Sequence, residues 1–136
     1  PRDQQIVLEI IKEYGIHNVR IHRIFDNAAK YLQVVRSMDV FIGMKLHSVI
    51  LAMCAGVPSI MIEYSPKCRD FMMSVNMEKF SININNATYE QLETCFDCIL
   101  SSQKQVTSNI AYQMISFKKK QLRKASEIQS RIKWDI

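Results

Sequence analysis

Glycine and proline are scarce in this chain, three of each in 136 residues. Gly15, Gly43 and Gly56 each fall where an apolar pattern stops. Neither residue type occurs between about Val106 and Lys133, so nothing in that stretch interrupts a helix. No apolar run reaches the roughly 20 residues of a membrane span. The opening PRDQQIVLEI has no charged-then-apolar signal pattern, and it begins without Met at what reads as a helix start. A fragment of a longer protein is expected. There is no internal repeat and no low-complexity linker. Cysteine is present but not as a metal set: Cys54, Cys68, Cys95 and Cys98 include one CxxC pair and no second pair at zinc spacing. Cys95 and Cys98 fall in phase with Leu92, Phe96 and Ile99, which predicts core packing on a helix. Reduced thiols without a signal sequence point to the cytoplasm.

What is present is one domain's worth of chain, 48% hydrophobic and 23% charged. The net charge of +5 is unevenly placed. Residues 1–100 hold 10 basic and 11 acidic side chains, whereas residues 101–136 hold 8 and 2. The basic character therefore belongs to the tail and says little about what the body binds.

The chain is organised around residues 39–67, DVFIGMKLHSVILAMCAGVPSIMIEYSPK. Val40 to Ile42 form a short apolar run ending at Gly43. Leu46, Val49, Ile50, Met53 and Cys54 recur at helical spacing, with Gly56 as the stop. Val57-Pro58 opens a second short run, Ile60 to Ile62. Ser65-Pro66 reads as a capping hydroxyl followed by proline at the first helical position. This β-α-β-α unit lacks in/out alternation in its strands, as parallel strands covered on both faces do. Lys45, His47 and Ser48 follow the first strand, and Glu63, Tyr64 and Lys67 the second. In open α/β sheets that carboxyl edge is where ligands bind.

Upstream, Asp3 is placed to cap a helix carrying Ile6, Val7, Ile10, Ile11 and Tyr14, and Gly15 to end it. Asn18 to Ile24 alternates apolar and polar and reads as a half-exposed strand. Asp26 or Asn27 caps a helix with Ala28, Ala29, Leu32 and Val35 inward. Downstream, Phe71, Met72 and Val75 mark a buried helix face, and Lys79 to Asn83 a weaker strand. Thr88 with Gln91 forms a capping box for a helix ending near Leu100. The segment from about Val106 to Lys133 carries Ile110, Met114 and Phe117 on one stripe, continued with a phase shift by Leu122, Ala125, Ile128 and Ile132. At ~1.5 Å per residue this helix is about 40 Å long and overruns one small domain. The expected fold is α/β: a Rossmann-like doubly wound parallel sheet of about four strands over residues 1–103, then a long basic C-terminal helix over 104–136.

The run Ile42-Gly43-Met44-Lys45-Leu46-His47, followed by Ala52, Ala55-Gly56-Val57-Pro58 and Tyr64-Ser65-Pro66-Lys67, resembles the polysaccharide pyruvyl transferase family. That family shows a strand ending in Asp-x-x-Ile-Gly, Arg-Leu-His opening a helix, a Gly-Val-Pro turn and a strand ending in Tyr-x-x-Lys. Asp39 to Ile42, Leu46-His47, Gly56 to Pro58, Tyr64 and Lys67 fall into the pattern, with the closest fit over residues 36–75. Lys45 departs from it, offering a point charge where the family has the planar fork of Arg.

The resemblance implies the C-terminal lobe of a two-lobe, GT-B-like enzyme, inactive without its N-terminal lobe. Its reaction would transfer pyruvyl from phosphoenolpyruvate to a sugar hydroxyl pair, on a free sugar or a lipid-linked glycan, in bacterial capsule or exopolysaccharide synthesis. No cofactor and no nucleic acid are implied, and the setting is cytoplasmic or peripheral at the inner face of the membrane, with a homo-oligomer among the partners.

Phosphoenolpyruvate needs several cationic or N–H donors, and Lys45, Lys67 and the helix starts near Leu46 and Pro66 meet at one sheet edge. Imidazole is the side chain that titrates near neutrality, so His47 is the acid/base candidate. Ser48 is placed for a phosphate contact, and Glu63 and Tyr64 to orient the sugar or His47. Plainer readings stand beside these: His47 as a helix-start residue, Lys67 as a solvated lysine, Glu63 as an ion-pair partner, Tyr64 as packing. His17 and His22 read as surface residues. Lys118-Lys119-Lys120 with Arg123 and Lys124 reads as a solvated helix face ahead of a lipid or nucleic-acid patch, because no aromatic interleaves except Phe117. Two further function classes share the layout: the donor-binding lobe of a GT-B glycosyltransferase, and a non-catalytic interaction domain docking through its basic helix.

Overall fold

The computed structural model describes residues 2–22 and 27–132, and the chain divides into two compact units, 1–31 and 32–136. In the first unit, α1 spans Arg2–Glu13. Gly15 stops it at φ +59°, and the Ile16 N–H donates back to the Ile11 carbonyl at 3.0 Å. Of the apolar residues this helix carries, Ile6, Val7, Ile10 and Tyr14 are exposed and Ile11 is half-buried.

Residues 18–22 of the predicted Asn18–Ile24 strand form no strand, and Arg23 and Ile24 lie outside the described residues. Asn18 sits at φ +65°, which breaks the extended path, and among the described residues no strand pairs with Val19 to Ile21. Asp26 also lies outside the described residues. Asn27 caps the next helix, α2 (Ala28–Val35), its Oδ1 accepting the Lys30 N–H at 3.0 Å. Val35 is buried and Leu32 half-buried, whereas Ala28 and Ala29 are exposed.

The second unit continues with β1 (Phe41–Gly43), α3 (Leu46–Cys54), β2 (Ser59–Glu63), α4 (Pro66–Ser74), β3 (Ser81–Asn83), α5 (Tyr89–Ser101) and α6 (Gln103–Arg131), with 3₁₀ turns flanking β3. The three strands are parallel in the order β1-β2-β3, with Gly43 opposite Met61 and Glu63 opposite Asn83. The fold is α/β, with a small parallel sheet and a long C-terminal helix. It has three strands among the described residues, not about four, and their order runs in one direction without the reversal of a doubly wound sheet.

Ile60 and Met61 are adjacent on β2 and both are fully buried. Consecutive strand residues point to opposite faces, so β2 is covered on both sides. The core joins them to Val49 and Met53 of α3, Met72 of α4, Ile99 of α5 and Ile110 of α6. Cys54, in phase with that set by spacing, is exposed at the end of α3.

Helices α3 and α4 end alike. Gly56, at φ +83°, donates to the Met53 carbonyl while Val57 donates to that of Ala52, both at 3.0 Å. Asn76, at φ +55°, donates to the Met73 carbonyl while Met77 donates to that of Met72. Both are Schellman stops, which satisfy the last carbonyls and turn the chain toward the next strand. α4 starts at Ser65-Pro66, but the Ser65 hydroxyl does not cap it: its Oγ lies 3.7 Å from Cys68 Sγ. Thr88 and Gln91 do form the capping box of α5.

Candidate functional site

The register leaves β1 two residues short of β2 and β3, so the chain leaving Gly43 turns into α3 beside the ends of its neighbours. Lys45 is the N-cap residue of α3, extended at φ −76° and ψ 119°, and its side chain is exposed. His47 lies in the first turn of α3 and is also exposed. Ser48 is half-buried, and its Oγ donates to the Lys45 carbonyl at 3.0 Å. Its proton is therefore committed to the turn that presents Lys45.

After β2, Glu63 is only 4% exposed. Ser81 Oγ on β3 donates to its Oε1, and Arg69 Nη1 on α4 lies 4.0 Å from its Oε2. A carboxylate this deep needs such partners, since an unpaired buried charge is costly. Tyr64 is exposed, and Lys67 Nζ stands 5.7 Å from its ring centroid, within cation–π range.

A cavity of ≈ 290 Å³ opens between the ends of β2 and β3, lined by Glu63, Tyr64, Ser65, Arg69, Asn83 and Asn85 among others. Asn83 Oδ1 accepts the Asn85 N–H at 3.0 Å, which holds the turn after β3. Of the six residues singled out from sequence, Glu63 and Tyr64 line this cavity, whereas Lys45, His47, Ser48 and Lys67 occupy the same sheet edge without lining it. Arg69, Asn83 and Asn85 are additions that sequence reasoning missed. Arg69 had a signal, being a cation four residues past the Ser65 helix start; the two asparagines had none before β3 was seen beside β2.

The cysteine pair is structural in its geometry. Cys95 and Cys98 are half-buried against the core, and the Cys95 thiol donates to the Lys79 carbonyl at 3.5 Å. Burial, and secondarily Cys98 beside it, push the Cys95 thiol above the ordinary thiol pKa, which favours the protonated form. Among the described residues no group of three His, Cys, Asp or Glu side chains is arranged to hold a metal ion.

Residues 1–66 match the family model for polysaccharide pyruvyl transferase. This pyruvyl transferase match covers just under half of the chain, takes in Lys45, His47, Ser48, Glu63 and Tyr64, and stops before Lys67 and Arg69. It begins well upstream of residues 36–75, where the resemblance read by eye was closest. At the level of the family it supports a transferase acting in polysaccharide chemistry. No curated protein and no solved structure gives a significant match. No helix among the described residues is long and apolar enough to cross a membrane.

Proposed function

We propose that the chain carries the donor-binding edge of a polysaccharide pyruvyl transferase-like enzyme, which moves pyruvyl from phosphoenolpyruvate to a pair of sugar hydroxyls as a cyclic ketal. The observation that carries this reading is one sheet edge with three exposed groups in it. Lys45 and His47 follow β1, Lys67 follows the adjacent β2, and α3 and α4 both start there, within or beside the stretch that matches the family. Two ammonium groups and two helix N-termini suit a ligand with both phosphate and carboxylate. Arg69 adds a guanidinium to the same edge, where it already pairs with Glu63.

In this reading His47, as imidazolium, gives its proton to the enol methylene carbon of phosphoenolpyruvate, and the cationic C2 is attacked by one sugar hydroxyl. Loss of inorganic phosphate and attack by the second hydroxyl complete the ketal, and the hydroxyl protons return to solvent and to His47. Lys45 and Lys67 hold the anion, Ser48 orients Lys45 through its backbone, and Glu63 with Tyr64 faces the acceptor. No cofactor takes part. The chain is then the second lobe of a longer GT-B-like cytoplasmic bacterial enzyme. Its three strands are part of a larger doubly wound sheet, and the acceptor sugar is shared with the other lobe.

Titration of the chain with phosphoenolpyruvate by NMR shifts or calorimetry tests this. Saturable binding is expected, weakened about tenfold by Lys45→Ala, the scale of one charge-assisted contact, and little changed by His47→Ala. Shifts with a UDP-sugar but none with phosphoenolpyruvate would sink the reading in favour of a glycosyltransferase lobe.

A further inference from the structure

Beyond Phe117, α6 leaves the core: every described residue from Lys118 to Ile132 is exposed, including Leu122 at 60% and Ile128 at 59%. At 3.6 residues per turn, Ile115, Leu122, Ala125, Ile128 and Ile132 fall within an arc of about 140°. Lys119, Lys120, Arg123, Lys124 and Arg131 fall within an opposite arc of similar width. Residues 115–132 hold six cations and one carboxylate, Glu127, which Arg123 already pairs at 3.1 Å. Of the cations, Lys118 alone lies within the apolar arc, which also holds Gln121 and Gln129; a lysine there can lay its stem along apolar surface and keep its ammonium in water.

The apolar arc does not end at the core. It runs into a cleft of ≈ 590 Å³ between α3 and α6, whose walls include Ile50, Met53, Ala111, Met114, Ile115 and Phe117. Lys118 and Gln121 stand at its rim. Apolar stripe and cleft therefore form one continuous face with the cations banked along its flank.

We propose that this face of α6 lies on an anionic phospholipid surface, with the stripe in the acyl boundary and the flanking lysines and arginines at the headgroups. Charge decides between occupants. Five exposed cations flank the stripe, so a second copy laid along it would bring like charges together, whereas an anionic bilayer complements them. The inference is independent of the pyruvyl transfer reading, since it uses none of the residues at the sheet edge.

Co-sedimentation of the chain with phosphatidylcholine vesicles, with and without a minority of phosphatidylglycerol, tests it. Binding is expected to the anionic vesicles alone, falling roughly fivefold for each of Lys119→Gln and Lys124→Gln and steeply with salt. The double variant Leu122→Asp, Ile128→Asp should abolish it with unchanged circular dichroism, since both positions are exposed. Absence of binding to anionic vesicles, equal binding to neutral ones, or undiminished binding by the double variant overturns the proposal. So does a dimer in sedimentation that this double variant breaks while vesicle binding is absent.

Discussion

At Gly43 a β-carbon would lie 2.6 Å from Phe41 Cε1 and 2.9 Å from Val49 Cγ2, closer than real side chains approach. Val49 is fully buried and has nowhere to move. The glycine is thus needed for close packing of α3 on β1, not for a left-handed turn, and that packing places Lys45 and His47 two and four residues later. Gly43→Ala should cost about 1–3 kcal/mol of unfolding free energy through overpacking, measured by urea denaturation. Because the strain falls on the start of α3, phosphoenolpyruvate binding should weaken in the folded variant too. An alanine variant as stable as the parent would mean that the helix start is looser than this packing indicates.

Among the elements, α5 is the one whose start rests on a single reciprocal pair. Thr88 Oγ1 accepts the Gln91 N–H at 3.2 Å, and Gln91 Oε1 accepts the Thr88 N–H at 3.1 Å. Thr88→Ala should cost about 1 kcal/mol, read as a shift of the urea midpoint at constant slope. Glu90, in the same turn, has its carboxyl held below the usual range, first by its own backbone N–H and then by the Thr88 hydroxyl. A depressed folded-state value stabilises the fold above the ordinary carboxylate pKa, and that contribution fades as pH falls through the lowered one. The Thr88→Ala penalty should therefore shrink under acid; a penalty that grows as pH falls contradicts this.

This capping box was legible because it lies within four consecutive residues. So was the β1-α3-β2-α4 unit, whose stops and starts are local. The Asn18–Ile24 strand misled because alternation reports only one face exposed, and a strand also needs a neighbour to bond. At the site, Lys45, His47, Glu63, Tyr64 and Lys67 are close to strand ends in the chain itself. Asn83 and Asn85 reach the Glu63 cavity only through the β2–β3 register, and Ser81 reaches the Glu63 carboxylate the same way. Pairing between strands 20 residues apart leaves no mark on local pattern.

On the scale of the whole molecule, α6 is two segments in one helix. Val106, Ile110 and Met114 are buried, and Phe117 meets Phe71 of α4 edge to face, ring centroids 5.8 Å apart. From Lys118 on, nothing is buried among the described residues. Truncation after Gln121 keeps one turn beyond Phe117 to hold its backbone, so unfolding free energy should change by less than about 1 kcal/mol. Truncation before Val106 removes three buried side chains, each contributing about 1.5–3 kcal/mol, and uncovers Phe71. Against a total stability of about 5–15 kcal/mol for a domain, that chain should not fold, by circular dichroism and denaturant titration. If truncation after Gln121 also unfolds the protein, the distal half of α6 stabilises the lobe itself, and the division of the helix into a core segment and a free surface segment fails.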